Sequence, residues 1–470
     1  MTHDLHGAVE TVLVLLLIIF TIAVVVQRIH LPYTIALVLA GLFGFQPGFR
    51  HIVLTPDLIL VVFLPLLLFE GAYNVSATRL RDNLLPISLL AGPGVLFGML
   101  ITGAIVHLLL GLGWGPSLLF GALISSTDPI AVVSLFRELG APKRLALLVE
   151  GESLFNDGAA ITLFQITLAA LATGAFSLGS GALDFVISVV GALVAGGAVG
   201  YACSFLVRRL DHIQLQITAT VLAAYGAYLL AERFAVSGAI AVVVTGLLVG
   251  NYGATSGVSP GAVHALGATW EFLGFIANSL VFLLIGIELD PLGLARNWWP
   301  ILAAFGATVI ARLCAVYLLL PWLRGARKIP ARFHPVIVWG GLRGAVSLAL
   351  MLSIPFTLSR GRAFPGRGTL QTLTFGVVGV SLVAQGLTMR PLIHRLRLGA
   401  NSTPDTNADA LHARLLAVEG ALSALASAHA TGEVGGLPYD RLRNAYQTEH
   451  DDLSEQLRPH MDETTAAAPD

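Results

Sequence analysis

Charged residues are scarce in this chain of 470 residues: Asp, Glu, Lys and Arg together make up 12%, whereas hydrophobic residues make up 56%. Because soluble domains carry about 25% charged residues, this composition excludes an ordinary soluble protein and predicts an all-α polytopic membrane protein. The formal net charge is only −1. We therefore expect the lipid bilayer, and not nucleic acid, among its partners.

Cysteine is nearly absent as well. Cys203 and Cys314 both lie in apolar runs, far apart in the sequence, so we interpret them as buried structural thiols. No group of Cys and His residues has the spacing of metal ligands, so we expect no zinc, no haem and no other cofactor. The first apolar run, residues 9–26, has neither a basic segment before it nor a cleavage site after it, and we interpret it as a first membrane helix instead of a signal peptide.

Apolar segments long enough to cross a bilayer recur along the chain, and polar breaks divide them into about 13 predicted spans. Because this number is odd, the two chain ends should face opposite sides. The alternate loops that include the C-terminal one hold most of the loop Lys and Arg residues, which predicts a cytoplasmic C-terminus and an external N-terminus. The predicted spans are residues 8–27, 31–46, 52–70, 84–112, 115–136, 145–172, 183–208, 214–232, 236–252, 264–288, 298–323, 334–356 and 367–396.

The composition becomes polar near Asn401. We therefore predict a membrane domain over residues 1–400 and a short cytoplasmic tail over residues 401–470. The tail should contain a polar linker at 402–407, helices at 408–430 and 437–457, and a disordered acidic end from residue 461.

Two carboxylates, Asp128 and Asp157, lie in stretches that are otherwise almost entirely apolar. A charge at mid-membrane depth costs at least about 2.5–3.5 kcal/mol, so such residues usually have a function. Exchange of a proton for a metal cation is a common one.

Two of the predicted spans should be interrupted. Pro129, in the fifth span, removes a backbone donor and disfavours helical geometry at Asp128. The twelfth span contains a glycine-rich segment, residues 340–344. Broken helices in the two halves of a chain are the best sequence indication of an ion site in an inverted-repeat transporter, with the two broken helices crossing there.

The sixth span adds further oxygen ligands to this candidate site. Ser153 and Asp157 are four residues apart and share one helix face, and Glu152 and Asn156 form a neighbouring pair. Together with unwound carbonyl groups of the fifth span, these residues suit a hard cation such as Na⁺. Glu70, at the end of the third span, is either another ligand or an interfacial residue.

Two arginines, Arg312 and Arg343, also lie within apolar segments and need a partner there. Glu152 is the natural partner for one of them, and the residues alone leave open which. We expect such a pair to be structural, because an unpaired buried charge would cost several kcal/mol.

These motifs together resemble the monovalent cation/proton antiporter family, which contains bacterial sodium/proton antiporters and the animal sodium/hydrogen exchangers. The resemblance covers roughly residues 10–400 and spares the tail. It rests on the following segments, in this order: residues 69–71, 125–129, 150–158, 278–286, 340–346 and 385–392.

The resemblance implies a secondary transporter and not an enzyme. It implies Asp157 as the essential cation- and proton-binding carboxylate and Asn156 as the mark of electroneutral exchange of one Na⁺ for one H⁺. It further implies a homodimer in the cell (inner) membrane that serves sodium transport and pH homeostasis. The remaining implied roles are the site lining by Asp128, the Na⁺ ligands Thr127 (through its carbonyl), Ser153 and Glu70, and the structural pair of Glu152 with Arg312, or alternatively with Arg343.

Our hypothesis is that a proton and Na⁺ or Li⁺ compete for Asp157 in an alternating-access cycle. Exchange of K⁺ or another substrate stays open, because oxygen ligands alone do not decide ion size. An ion channel would need a filter loop or carboxylate rings, which the sequence does not show. An intramembrane aspartyl protease would need Asp128 and Asp157 close enough to share a proton.

Overall fold

The structure is a computed structural model that describes residues 2–26, 28, 32–44, 55–174, 177–253, 258–323, 325, 328–358, 362–399, 405–430 and 435–466. Within these ranges the chain is helical, with connecting loops and no β-sheet. The predicted linker residues 402–404 and the chain end 467–470 lie outside them.

Most of the helices follow one another through short connections. Three of them are extended by a π-helical turn, at Leu58–Phe63 before α3, at Leu90–Gly94 before α6 and at Val249–Gly253 after α12. The helices are α1 Thr2–Val26, α2 Tyr33–Gly44, α3 Leu64–Asn74, α4 Ala77–Asp82, α5 Leu84–Leu89, α6 Val95–Leu110, α7 Trp114–Ile124, α8 Ile130–Leu139, α9 Lys143–Thr173, α10 Leu178–Val207, α11 Ile213–Arg233, α12 Gly238–Leu248, α13 Pro260–Glu288, α14 Pro291–Arg296, α15 Trp298–Leu319, α16 His334–Trp339, α17 Ala345–Ser353, α18 Arg367–Arg395, α19 Asp405–Ala430 and α20 Gly436–Ala466.

Local sequence explains where several helices begin and end. Pro260 and Pro291 lie at the first position of α13 and α14, where a missing backbone N–H costs nothing. Gly111 and Gly140 adopt the left-handed conformation, with φ of 67° and 64°, and end α6 and α8. Glycine suits these positions because it has no Cβ to clash.

Among the residues that the structure describes, seven helical segments are long and apolar enough to cross a membrane. The described parts of the other predicted spans are shorter apolar helices or are divided by a non-helical segment. The structure therefore supports a multi-pass, all-helical protein, and the count of 13 crossings stays a prediction. The seven segments are Leu84–Leu110, Lys143–Thr173, Gly179–Val207, Ile213–Arg233, Gly261–Glu288, Trp298–Trp322 and Arg367–Arg395.

The two predicted interruptions are present as breaks in helical structure. The chain is non-helical between Ile124, where α7 ends, and Ile130, where α8 begins. It is again non-helical between Trp339, the end of α16, and Ala345, the start of α17. The helices around these breaks pack closely: α7 lies against α6 and α9, and α17 lies against α7 and α18.

The chain divides into two compact units, Met1–Leu396 and Arg397–Asp470. In the second unit α19 packs against α20, and each helix has a buried apolar residue, Val418 on α19 and Leu453 on α20. Helix α20 continues to Ala466, into the stretch that we expected to be disordered.

Candidate functional site

The two breaks in helical structure meet each other. The backbone N–H of Asp128 donates a hydrogen bond to the carbonyl oxygen of Leu342, at 2.8 Å. Gly344 lies so close that a Cβ atom there would come within 2.5 Å of the Asp128 side chain. Non-helical backbone from two distant parts of the sequence is thus brought together, and its polar groups find partners inside the protein.

The charged side chains at these breaks bind backbone groups at the ends of α7 and α8. Arg343 Nη1 donates to the carbonyl oxygens of Ser125 and Ser126, at 3.0 and 3.1 Å, just beyond the C-terminal end of α7. Asp128 Oδ1 accepts from the backbone N–H of Ile130, at 3.0 Å, at the first turn of α8. A cation at a C-terminal end and an anion at an N-terminal end both complement the helix dipole.

Asp157 lies on α9 facing the first break. Its side chain is buried, with 7% exposure, and the Ser126 hydroxyl donates to its Oδ1 at 2.5 Å. Ser126 is not among the site residues that the sequence predicts. The signal that could have found it is its position, a hydroxyl two residues before Asp128 at the point where the helix must unwind.

The other two polar residues of this helix face hold the first break in place. The Ser153 hydroxyl donates to the Thr127 carbonyl oxygen. Asn156 Nδ2 donates to Thr127 Oγ1 at 2.6 Å, and the Thr127 N–H donates to Asn156 Oδ1 at 3.3 Å. Asn156 thus braces Thr127 and does not line the cavity described below, although we expected it to act beside Asp157.

Glu152 and Arg312 form a bidentate ion pair. Arg312 Nη1 donates to Glu152 Oε1 at 2.5 Å, Nη2 donates to Oε2, and both side chains are at most 10% exposed. Arg312 also donates to the carbonyl oxygen of Ile337, at 3.3 Å. Arg343, the alternative partner, is engaged with the carbonyl groups at the end of α7, so the two arginines have different roles.

A cavity of about 200 Å³ opens beside these groups. Glu70 reaches it from α3, where its Oε1 accepts from Asn74 Nδ2 at 2.9 Å. Among the described residues no hydrogen bond joins Glu70 to Asp157 or Ser153, although all three line the cavity. The predicted site residues that line the cavity are Glu70, Thr127, Asp128, Ser153 and Asp157.

The two aspartates do not form a catalytic dyad in the described structure. Asp128 accepts from the Ile130 backbone and Asp157 accepts from Ser126, and no hydrogen bond joins the two carboxylates. A shared proton would require direct contact between them. The arrangement is that of an oxygen-lined binding site, since hydroxyl, carbonyl and carboxylate groups are the ligands of hard cations.

Gly344→Ala tests the contact between the two breaks. We expect the added Cβ to push Asp128 away and to lower the yield of folded protein, because 2.5 Å is far inside van der Waals contact. Size-exclusion chromatography measures this effect. Gly306→Ala, on α15 with nothing within 4 Å of its Cβ position, is the control and should behave like wild type. Wild-type behaviour of Gly344→Ala would contradict this contact.

Comparison with known proteins gives one consistent result. The family model described as "Sodium/hydrogen exchanger, transmembrane" matches residues 13–395. The Na(+)/H(+) antiporter NhaG of Bacillus atrophaeus is 38% identical over 421 residues, covering 86% of this chain and 78% of the relative. The Na(+)/H(+) antiporter NhaP of Pseudomonas aeruginosa is 41% identical over 356 residues, covering 73% of this chain and 82% of the relative.

A solved structure has the same fold. The sodium proton antiporter MjNhaP1 from Methanocaldococcus jannaschii superimposes with a TM-score of 0.69 at 21% sequence identity, covering 84% of this chain and 99% of the antiporter.

The family model and these relatives show that this multi-pass helical protein is a secondary transporter and not an enzyme. Within this class, the chain belongs to the sodium/hydrogen exchanger family.

Proposed function

We propose that this protein exchanges Na⁺ for H⁺ across a membrane, with Asp157 as the residue that binds both. The observation that carries the proposal is a contrast between two buried acids on α9. Glu152 has a permanent cationic partner in Arg312. Asp157, in contrast, accepts a hydrogen bond from the neutral hydroxyl of Ser126. A buried carboxylate without a fixed cation needs a mobile one.

The second step of the proposal is competition at this carboxylate. A proton neutralises Asp157 directly, and Na⁺ neutralises it with help from the Ser153 hydroxyl and the Thr127 carbonyl oxygen. The hydroxyl now donates a hydrogen bond to this carbonyl oxygen at the edge of the cavity. When a cation binds to both oxygens, the hydroxyl keeps its proton and rotates it away from the carbonyl. Because one carboxylate cannot hold both ions, each arriving ion displaces the other.

Coupling follows if the site opens to the other side of the membrane only when Asp157 is neutralised. The reason is that an unpaired charge is costly to move through the membrane interior. Alternating access of one site then forces Na⁺ and H⁺ in opposite directions.

The stoichiometry that this site favours is one to one. Asp128 is engaged at the start of α8, and Asn156 is uncharged and braces Thr127. One exchangeable carboxylate carries one positive charge in each direction, so the cycle moves no net charge.

We further propose, from family membership, a homodimer in the cell (inner) membrane that serves pH homeostasis, with the N-terminus outside and the C-terminus cytoplasmic.

Flux in proteoliposomes tests this function. Na⁺ or Li⁺ added outside acid-loaded vesicles should dequench an internal pH dye, while K⁺ distinguishes the open alternative of potassium exchange. The rate should not change under an imposed membrane potential, because the cycle is electroneutral.

Asn156→Asp adds a second ionisable group beside Asp157 and should introduce a dependence of the exchange rate on membrane potential. Absence of proton flux with all three cations would refute the function, and a strong dependence on potential in wild type would refute the stoichiometry.

A further inference from the structure

The cavity has a deep end and an exposed end. Glu150, Ser153 and Asp157 lie three, four and seven residues apart on α9, so they follow one helix face, and all three line the cavity. Burial decreases along this face, since Ser153 and Asp157 are buried whereas Glu150 is half-buried. On the opposite wall, Arg137 in the last turn of α8 is exposed.

This gradient defines the direction from which an ion reaches Asp157. The exposed end lies toward the connection between α8 and α9, where Arg137 and Glu150 face the same cavity. Glu70 projects into it from α3. Seven residues of helix separate Glu150 from Asp157 by roughly 10 Å, so an entering cation passes Glu150 before it reaches the inner ligands.

The charges at this entrance interact with one another. Glu150 lies within electrostatic range of both Glu70 and Arg137, and Arg137 also acts on Glu70. Among the described residues, neither Glu150 nor Arg137 forms a salt bridge within 4 Å. The two side chains thus interact electrostatically across the cavity without forming an ion pair.

We propose that Glu150 and Arg137 control cation access to Asp157, Glu150 by raising the local cation concentration and Arg137 by competing with the arriving ion. This inference rests on the proposed cation exchange and assigns two access residues to it. Neither residue coordinates the ion at the inner site. Arg137 is a tethered cation that Na⁺ must pass, so the arginine keeps the apparent affinity for Na⁺ below the value that the acids alone would give.

Coulomb's law sets the size of the effect. A unit charge about 10 Å from the ion changes its occupancy about twofold through water and about fifteenfold through a protein-like medium. The half-buried entrance lies between these limits. Glu150→Gln should therefore raise the apparent KM for Na⁺ by a factor in this range, and Arg137→Gln should lower it by a similar factor.

The experiment measures initial exchange rates against Na⁺ concentration in proteoliposomes containing the full chain. We expect opposite KM changes in the two variants, Vmax close to wild type in both, and a double variant with a KM near the wild-type value. Raising the ionic strength with choline chloride should shrink the differences, because salt screens exposed charges over a Debye length of about 10 Å at 0.1 M.

Two matched controls remove charges from the same end of the membrane domain without touching the cavity. Asp82→Asn at the end of α4 and Lys143→Gln at the start of α9 are exposed substitutions outside its lining, and both should keep the wild-type KM. Equal KM values in Glu150→Gln, Arg137→Gln and the controls would overturn the proposal, as would a loss of Vmax with unchanged KM. A failure of the proposed function itself looks different, because wild type would then show no cation-dependent proton flux.

Discussion

Asp157→Asn is expected to reduce Na⁺-driven proton flux to the background of protein-free liposomes. The amide has the same size as the carboxylate and can still accept the hydrogen bond from the Ser126 hydroxyl, so the site should keep its shape. It loses the negative charge that a cation needs and the acidic group that a proton needs. Proteoliposome flux with a pH dye measures the loss, and size-exclusion chromatography establishes that the variant is folded.

The matched control for this substitution is Asp184→Asn. Asp184 lies on α10 with its side chain exposed, outside the cavity lining, so this variant should transport like wild type. Retained Na⁺-dependent proton flux in Asp157→Asn would contradict the role of Asp157. Equal loss in both variants would show that the assay reports general damage and not the site.

Breaking the buried ion pair should have the largest effect on stability. Glu152→Gln leaves Arg312 without its ion-pair partner, and Arg312→Gln leaves Glu152 without its own. Removing one partner of a buried pair costs about 3–5 kcal/mol, because the remaining charge stays desolvated. Glu152 also accepts from Asn156, so the damage should spread to Thr127 and to the transport rate.

Denaturant unfolding in detergent micelles, with Trp fluorescence as the signal, measures this prediction. The double variant Glu152→Gln/Arg312→Gln should lose less than the sum of the single variants, since two amides can bond each other without burying a charge. Glu138→Gln, which breaks the exposed pair of Glu138 with Arg390, should cost less than about 1 kcal/mol. Similar losses for the buried and the exposed pair would contradict the structural role of Glu152 and Arg312.

The interruptions of helical structure could be predicted from the sequence because their causes are local. Pro129 lacks a backbone donor and disturbs the residue before it, and glycines near Arg343 permit a non-helical segment. Spacing on α9 likewise places Ser153 and Asp157 on one face without any knowledge of the fold. The sequence also contains the resemblance that the family comparison bears out.

Other features depend on which distant segments meet, and the sequence does not contain that information in a local pattern. Arg312 and Arg343 look alike as arginines in apolar runs, and only their positions next to α9 and α7 separate an ion-pair partner from a residue that binds carbonyl groups. The hydrogen bond between Ser126 and Asp157 depends on the position of the first break next to α9, which the sequence does not give. The count of 13 spans stays a prediction, since several apolar helices are shorter than a membrane crossing within the part of the chain that the structure describes.

Proton release on Na⁺ binding tests the central claim most directly. Purified protein in weakly buffered detergent solution is mixed with Na⁺, and a pH dye records the protons released while ²²Na⁺ records the ion bound. At a pH where Asp157 is protonated before mixing, we expect about one proton released for each Na⁺ bound, a weaker apparent Na⁺ affinity as the solution is made more acidic, and neither signal in Asp157→Asn. Na⁺ binding without proton release, or with an affinity that does not change with pH, would contradict competition at Asp157.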